Sequence, residues 1–189
     1  MQGIDFKLNV NVGIRVVDGN TGKYKEYFGH NLGTKQMSLG VFKFLRGDFD
    51  RKNTEDVMAD FYPHFFVVGY SDNPTSFTDT SLGQYLYYDG SKDDSPPYSV
   101  GTDLEKICVG SSGYNESSTT ITLSLRFYIA SDVLAGTTDD PTVIKEIGLL
   151  TPNHQLCARY VMPTPIEKKE NDFIDVVWDI SITSINENT

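Results

Sequence analysis

Ile121-Thr122-Leu123-Ser124-Leu125-Arg126-Phe127-Tyr128-Ile129 places an apolar residue at every odd position and mostly polar ones between. A period of two sorts these side chains onto the opposite faces of a half-buried strand. The same period recurs near both ends of the chain. Phe6, Leu8, Val10, Val12, Ile14 and Val16 are apolar, with Lys7, Asn9, Asn11 and Arg15 between them. Ile174, Val176, Trp178, Ile180 and Ile182 alternate with Asp175, Asp179 and Ser181, so Trp178 falls on the apolar face as a core anchor.

Working outward from these three strands, Asp18-Gly19-Asn20-Thr21-Gly22 supplies residues tolerant of positive φ, and Lys23 to Phe28 reads as the return strand of a hairpin. Val143 to Leu150 and Leu156 to Met162 flank Thr151-Pro152-Asn153-His154, a second hairpin connection. Phe61 to Tyr70 is an apolar and aromatic run suited to a buried strand ending at Gly69. Tyr85 to Tyr88 and Leu104 to Val109 are candidate short strands. By composition, residues 71–83 and 110–118 read as loops, and 89–103 as a long irregular excursion around Pro96-Pro97. Between Thr34 and Arg46 the period changes. Met37, Val41, Phe44 and Leu45 form a helical stripe, with Thr34 as N-cap and Gly47 as the stop.

Seven or more short strands and one substantial helix near 34–46 predict a mainly β chain, an antiparallel β-sandwich or a partly closed barrel with long loops. Its 189 residues make a single domain, 1–189, with no internal repeat or linker. Residues 1–28 read as an N-terminal strand and hairpin extension, packed on or projecting from a sandwich of residues 31–182.

Charge and composition narrow the function. Lys plus Arg number 16 against 26 Asp plus Glu, a net charge of −10. A surface that neutralises nucleic-acid phosphates or docks on an anionic membrane needs clustered Lys and Arg, so neither partner is expected. The two cysteines, Cys108 and Cys157, form no Cys-x-x-Cys pair and read as reduced core residues. No apolar run approaches a membrane span, and Met-Gln-Gly-Ile-Asp-Phe-Lys lacks the character of a signal peptide, so synthesis in a cytoplasm is expected.

The motifs that carry chemistry are thin. Gly110-Ser111-Ser112-Gly113 lacks the strand-to-helix context of a phosphate cradle. The histidines are His30, His64 and His154; only His154 has a cysteine nearby, Cys157, which leaves a zinc set incomplete. Asp89, Ser91, Asp93 and Asp94 resemble the opening of a calcium loop, but Asp94 stands where glycine is needed and Val100 where a glutamate is needed. Asp175 and Asp179 lie about 13 Å apart on one strand, too far for two-carboxylate glycoside hydrolysis. No catalytic residue, metal site or cofactor is therefore expected. Arg159 reads as the partner of Glu146 across the second hairpin, a fold-holding ion pair. Gly148 within its strand suggests a bulge or a close backbone approach. Pro163 and Pro165, which cannot donate to a ladder, mark an edge or a crossover. Tyr85, Tyr87, Tyr88 and Tyr98 are either sugar-stacking candidates or core and subunit-contact residues.

Taken in order, the segments resemble bacteriophage virion proteins of the tail-fibre and collar type. The matching stretches are Asn31-Leu32-Gly33-Thr34, Phe65-Phe66-Val67-Val68-Gly69, Thr78-Asp79-Thr80-Ser81-Leu82 and Thr119-Thr120-Ile121-Thr122-Leu123. Lys145-Glu146-Ile147-Gly148-Leu149-Leu150, Leu156-Cys157-Ala158-Arg159-Tyr160, Pro163-Thr164-Pro165-Ile166-Glu167-Lys168 and the strand from Ile174 to Ile182 complete the series. Residues 1–28 and 89–103 fall outside the pattern. The resemblance implies a non-enzymatic structural component of a virion, in a collar, tail, head-fibre or baseplate position. It would act through repeated contacts with other virion proteins and with copies of itself; the alternative is a host-surface glycan- or receptor-binding module. The motif positions it singles out are Asn31, Gly33, Gly69, Thr80, Leu82, Glu146, Gly148, Arg159, Pro163, Pro165 and Trp178.

Overall fold

In the computed structural model of the chain, residues 5–39, 63, 65–87, 90–93, 111–117 and 120–185 are described. Among them, ten strands follow in order: β1 (Asp5–Asp18), β2 (Tyr24–Gly33), β3 (Phe65–Gly69), β4 (Tyr85–Leu86), β5 (Lys92–Asp93), β6 (Ser111–Glu116), β7 (Thr120–Ile129), β8 (Thr142–Leu150), β9 (Leu156–Lys168) and β10 (Asp172–Ile185). All their pairings are antiparallel, and the spatial order is β5-β4-β3-β8-β9-β2-β1-β10-β7-β6.

This ribbon folds over at β2 into two layers. From Tyr24 to Asn31 β2 pairs with β1, whereas Leu32 and Gly33 pair with Arg159 and Ala158 of β9. Sheet A is β2-β1-β10-β7-β6, and sheet B is β5-β4-β3-β8-β9 with the end of β2. The two sheets do not close into a barrel, so the sandwich is the form adopted.

The alternating residues explain the layering. Val10, Val12, Ile14 and Val16 of β1 stand in register with Ile180, Trp178, Val176 and Ile174 of β10, and the row continues onto Leu123, Leu125, Phe127 and Ile129 of β7. This inner face meets Phe66, Val68, Ile144, Ile147 and Leu149 of sheet B in one core. The rings of Phe66 and Phe127 stack across the layers with centroids 4.9 Å apart. Trp178 is fully buried in that core, and its indole Nε1 finds no acceptor among the described residues.

Four expectations need correction. Residues 1–28 are not an extension: β1 lies inside sheet A, its register running from Asp5 opposite Ile185 to Asp18 opposite Asp172. Its fourteen alternating residues are long enough to be paired on both sides. Residues 111–116, read as loop from their Ser, Gly and Asn content, form β6, whose backbone pairs with β7 whatever its side chains prefer. Lys92–Asp93, inside the supposed irregular excursion, pairs with β4 as β5. Pro163 and Pro165 sit within β9, exposed, where the register jumps between Glu146 opposite Val161 and Ile144 opposite Ile166. The extra residues bulge outward, so neither proline has to donate to the ladder.

Of the helix expected over 34–46, residues 35–39 are helical and 40–46 lie outside the described residues. Leu104 to Val109, His64 and Cys108 also lie outside them. Thr34 accepts the first helical bond from Ser38 N–H at 3.2 Å, as an N-cap residue does. Its hydroxyl lies 2.5 Å from the Leu156 carbonyl and 2.8 Å from that of Cys157, tying the helix start to β9.

Lys168, at the end of β9, is fully buried and donates from Nζ to the Ser131 carbonyl at 3.0 Å. Burial pushes its ammonium down to about 8 from 10.5, while Asp172 and Asp132 pull the other way. Between those values the unfolded chain holds a proton that the folded chain has lost. Stability from this group therefore rises with pH across the window, and below it the burial costs up to about 3 kcal/mol. Burial acts oppositely on Cys157, pushed up to about 12, and on Tyr160. These effects cancel when two proteins that share both groups are compared. The stability advantage of Lys168→Met over the unchanged chain is therefore expected to shrink by about 2–3 kcal/mol between pH 7 and pH 10, followed by urea unfolding.

Trp178→Ala is expected to cost about 3–5 kcal/mol through the cavity it leaves. The unchanged protein should show a tryptophan emission maximum well to the blue of the free indole.

Candidate functional site

Outward-facing residues of sheet B build a buried polar cluster. Along β8 the residues alternate, so Ile147 and Leu149 enter the core while Glu146, Gly148 and Leu150 face the other way. A carboxylate there would normally meet water, yet Glu146 has no exposed surface. The segment 71–84 covers it. Glu146 Oε1 accepts hydrogen bonds from the backbone N–H groups of Ser71 (3.1 Å), Gly83 (3.0 Å) and Gln84 (3.1 Å).

Arg159 completes the cluster from β9. Its register partner is Gly148, so the guanidinium reaches diagonally to Glu146. Nε donates to Glu146 Oε2 at 2.7 Å, Nη1 to Asp79 Oδ2 at 2.9 Å, and Nη2 to the Asn73 carbonyl at 3.2 Å. Burial works to lower the Arg159 pKa, but the hydrogen bonds to Asp79 and Glu146 outweigh it and raise the value further. The cation persists across the working pH range, held between two carboxylates.

Several motif positions converge here. A Cβ at Gly69 would lie 2.7 Å from Glu146 Oε1 and 2.5 Å from the Gln84 carbonyl, and one at Gly148 would lie 2.9 Å from Leu82. Both glycines clear the space into which the 71–84 segment settles. Leu82 is buried there with Val67, Tyr85, Leu150 and Leu156 in a second, smaller apolar cluster. Gly33 pairs with Ala158 beside Arg159, and Lys35 N–H donates to the Phe77 carbonyl of the covering segment at 2.8 Å. Asn31 lies just before, opposite Val10. Thr80 is exposed, and Trp178, Pro163 and Pro165 lie elsewhere. The role of Asp79 was not legible: it lies 80 residues from Arg159, and no spacing rule joins them.

Of the four candidate sugar-stacking tyrosines, Tyr85 and Tyr87 fall among the described residues. Tyr85 is buried, its phenol oxygen accepting the Leu82 N–H at 3.2 Å. Tyr87 is half-buried, and Tyr88 and Tyr98 lie outside the described residues. His154 stacks on Phe65, with centroids 5.3 Å apart, while Cys157 is buried behind it. Among the described residues no three side chains converge as metal ligands. Of the calcium-like run, Asp89 and Asp94 lie outside the described residues.

Asp175 and Asp179 face outward from sheet A and are held by its own side chains. Asp175 lies 3.6 Å from Arg126, and Ser124 donates to Asp179 at 2.5 Å. Around them a shallow groove of about 500 Å³ runs over Gly13, with Arg15, Glu26 and Phe28 on its sides.

Breaking the Glu146 cluster should loosen the covering segment first. Arg159→Met leaves the Glu146 charge buried without its cation, a loss of about 3–5 kcal/mol. Limited proteolysis of this variant is expected to cut within residues 71–84 at protease levels that leave the unchanged chain intact.

No family model, curated protein or solved structure matches the chain.

Proposed function

We propose that the protein is a structural, non-enzymatic component of a bacteriophage virion, built to hold a rigid shape in repeated contact with copies of itself and with other virion proteins. Collar, tail, head-fibre and baseplate positions share this requirement. The observation that carries the reading is the meeting of five of the eight ordered motif segments, 31–34, 65–69, 78–82, 145–150 and 156–160, around the Glu146–Arg159–Asp79 cluster. Residues that the resemblance singles out are spent on internal bonds that fix a loop to a sheet. Such bonds hold shape, and a protein that tiles with its neighbours depends on shape.

A glycan- or receptor-binding role is the second reading. It rests on a different set of aromatics from the tyrosines first considered: Tyr24, Phe28 and Tyr128, exposed on sheet A.

The test is the composition of purified particles. Peptides of this chain are expected in virions from the phage that encodes it, at a constant copy number through successive density-gradient steps. Recovery solely from the soluble fraction of infected cells would overturn the assignment.

A further inference from the structure

The two outer faces of the sandwich differ. That of sheet B is covered by the chain's own 71–84 segment. That of sheet A leaves Phe28 76% and Tyr24 59% exposed on β2, and Tyr128 39% exposed three strands away on β7. Lone surface aromatics are ordinary; three on one sheet face, interleaved with arginines and carboxylates, have the mixed character of an interface.

We propose that this face of sheet A binds the same face of a second copy, related by a two-fold axis running along the strands midway between β1 and β10. The idea deepens the assembly reading given above, but it concerns the isolated chain and can fail independently of any role in a virion.

The registers carry it. Arg15 stands level with Asp175, Gly13 with Val177, and Asn11 with Asp179. The flanking strands add Phe28 level with Gly13 and Arg126 level with Val177. A two-fold axis between β1 and β10 lays each β1 over the other copy's β10, and each β2 over its β7, while preserving level. Arg15 then faces Asp175 of the second copy, and Asn11 faces Asp179. Phe28 offers its ring to the Arg126 guanidinium, a favourable cation–π geometry. Val177 of the second copy meets the Phe28 ring, which rests against Gly13. Each contact occurs twice, as a self-complementary interface requires.

Charge selects this occupant. A chain of net charge −10 repels its copies over most of its surface. Two of its five arginines lie on this face, each opposite an aromatic or acidic residue under the proposed symmetry. A neutral saccharide would leave that sign alternation unused. Four strands about 4.8 Å apart and about ten residues long present about 650 Å², close to the roughly 800 Å² per partner of a standard interface.

Sedimentation of the full chain between about 1 and 100 μM should show a reversible monomer–dimer equilibrium. Phe28→Lys and Arg15→Asp should each weaken the dimer about tenfold or more, the first by placing a cation against Arg126 of the second copy and the second an anion against its Asp175. The double change Arg15→Asp with Asp175→Arg should restore affinity to within about threefold of the original. Circular dichroism of the variants checks folding, and both altered side chains of the single variants are exposed. A chain that stays monomeric at 100 μM overturns the proposal. So does a dimer indifferent to Phe28→Lys, or a double change that fails to rescue. A monomer that binds oligosaccharides through Phe28 overturns it in favour of the glycan reading.

Discussion

A carboxylate with no exposed surface demands an answer from its surroundings, and the answer to Glu146 organises one side of this protein. Three backbone N–H groups and one guanidinium meet its two oxygens. The N–H donors come from either end of a single segment, so satisfying the charge closes that segment into a lid. Asp79 and the Asn73 carbonyl then occupy the remaining nitrogens of Arg159. A segment rich in Ser, Thr, Asp and Asn, with few apolar residues of its own, thus acquires a fixed position. Leu82 and Tyr85 add apolar contact beneath it, and Gly69 and Gly148 leave the room for it.

The fixed lid gives the sandwich two unlike exteriors. Sheet B is finished by its own chain. Sheet A ends in paired charges, hydroxyl ladders and uncovered rings, with Thr122 to Ser181 at 2.9 Å and Thr120 to Thr183 at 3.1 Å. Those ladders satisfy side chains within the face. A surface so arranged keeps its side chains ordered before any contact is made, which lowers the entropy lost on association.

Much of the fold was legible in the sequence because strand parity is a local property. Val12, Trp178 and Leu125 each follow from a two-residue period, and their alignment across three strands follows from the same period. The Glu146–Arg159 pair was legible for a similar reason, since thirteen residues and one hairpin separate the partners. Three features were not. Asp79 joins the cluster through tertiary closure of a loop, which no periodicity encodes. β6 has the composition of a turn and owes its conformation to β7. Phe28 was placed in a strand but not on a face, because its significance depends on whether anything covers it.

The pairing of β1 with β10 has a mechanical side. Asp5 lies opposite Ile185 at one end of the antiparallel pair, and Asp18 opposite Asp172 at the other. Chain entering at Asp5 and chain leaving at Ile185 therefore pass side by side, about 5 Å apart. Tension applied through both would open the ladder rung by rung, as a zipper opens, instead of shearing all its bonds together. The sandwich is consequently weak against traction at those two points. Such a body is ill suited to serving as a link in a stretched chain.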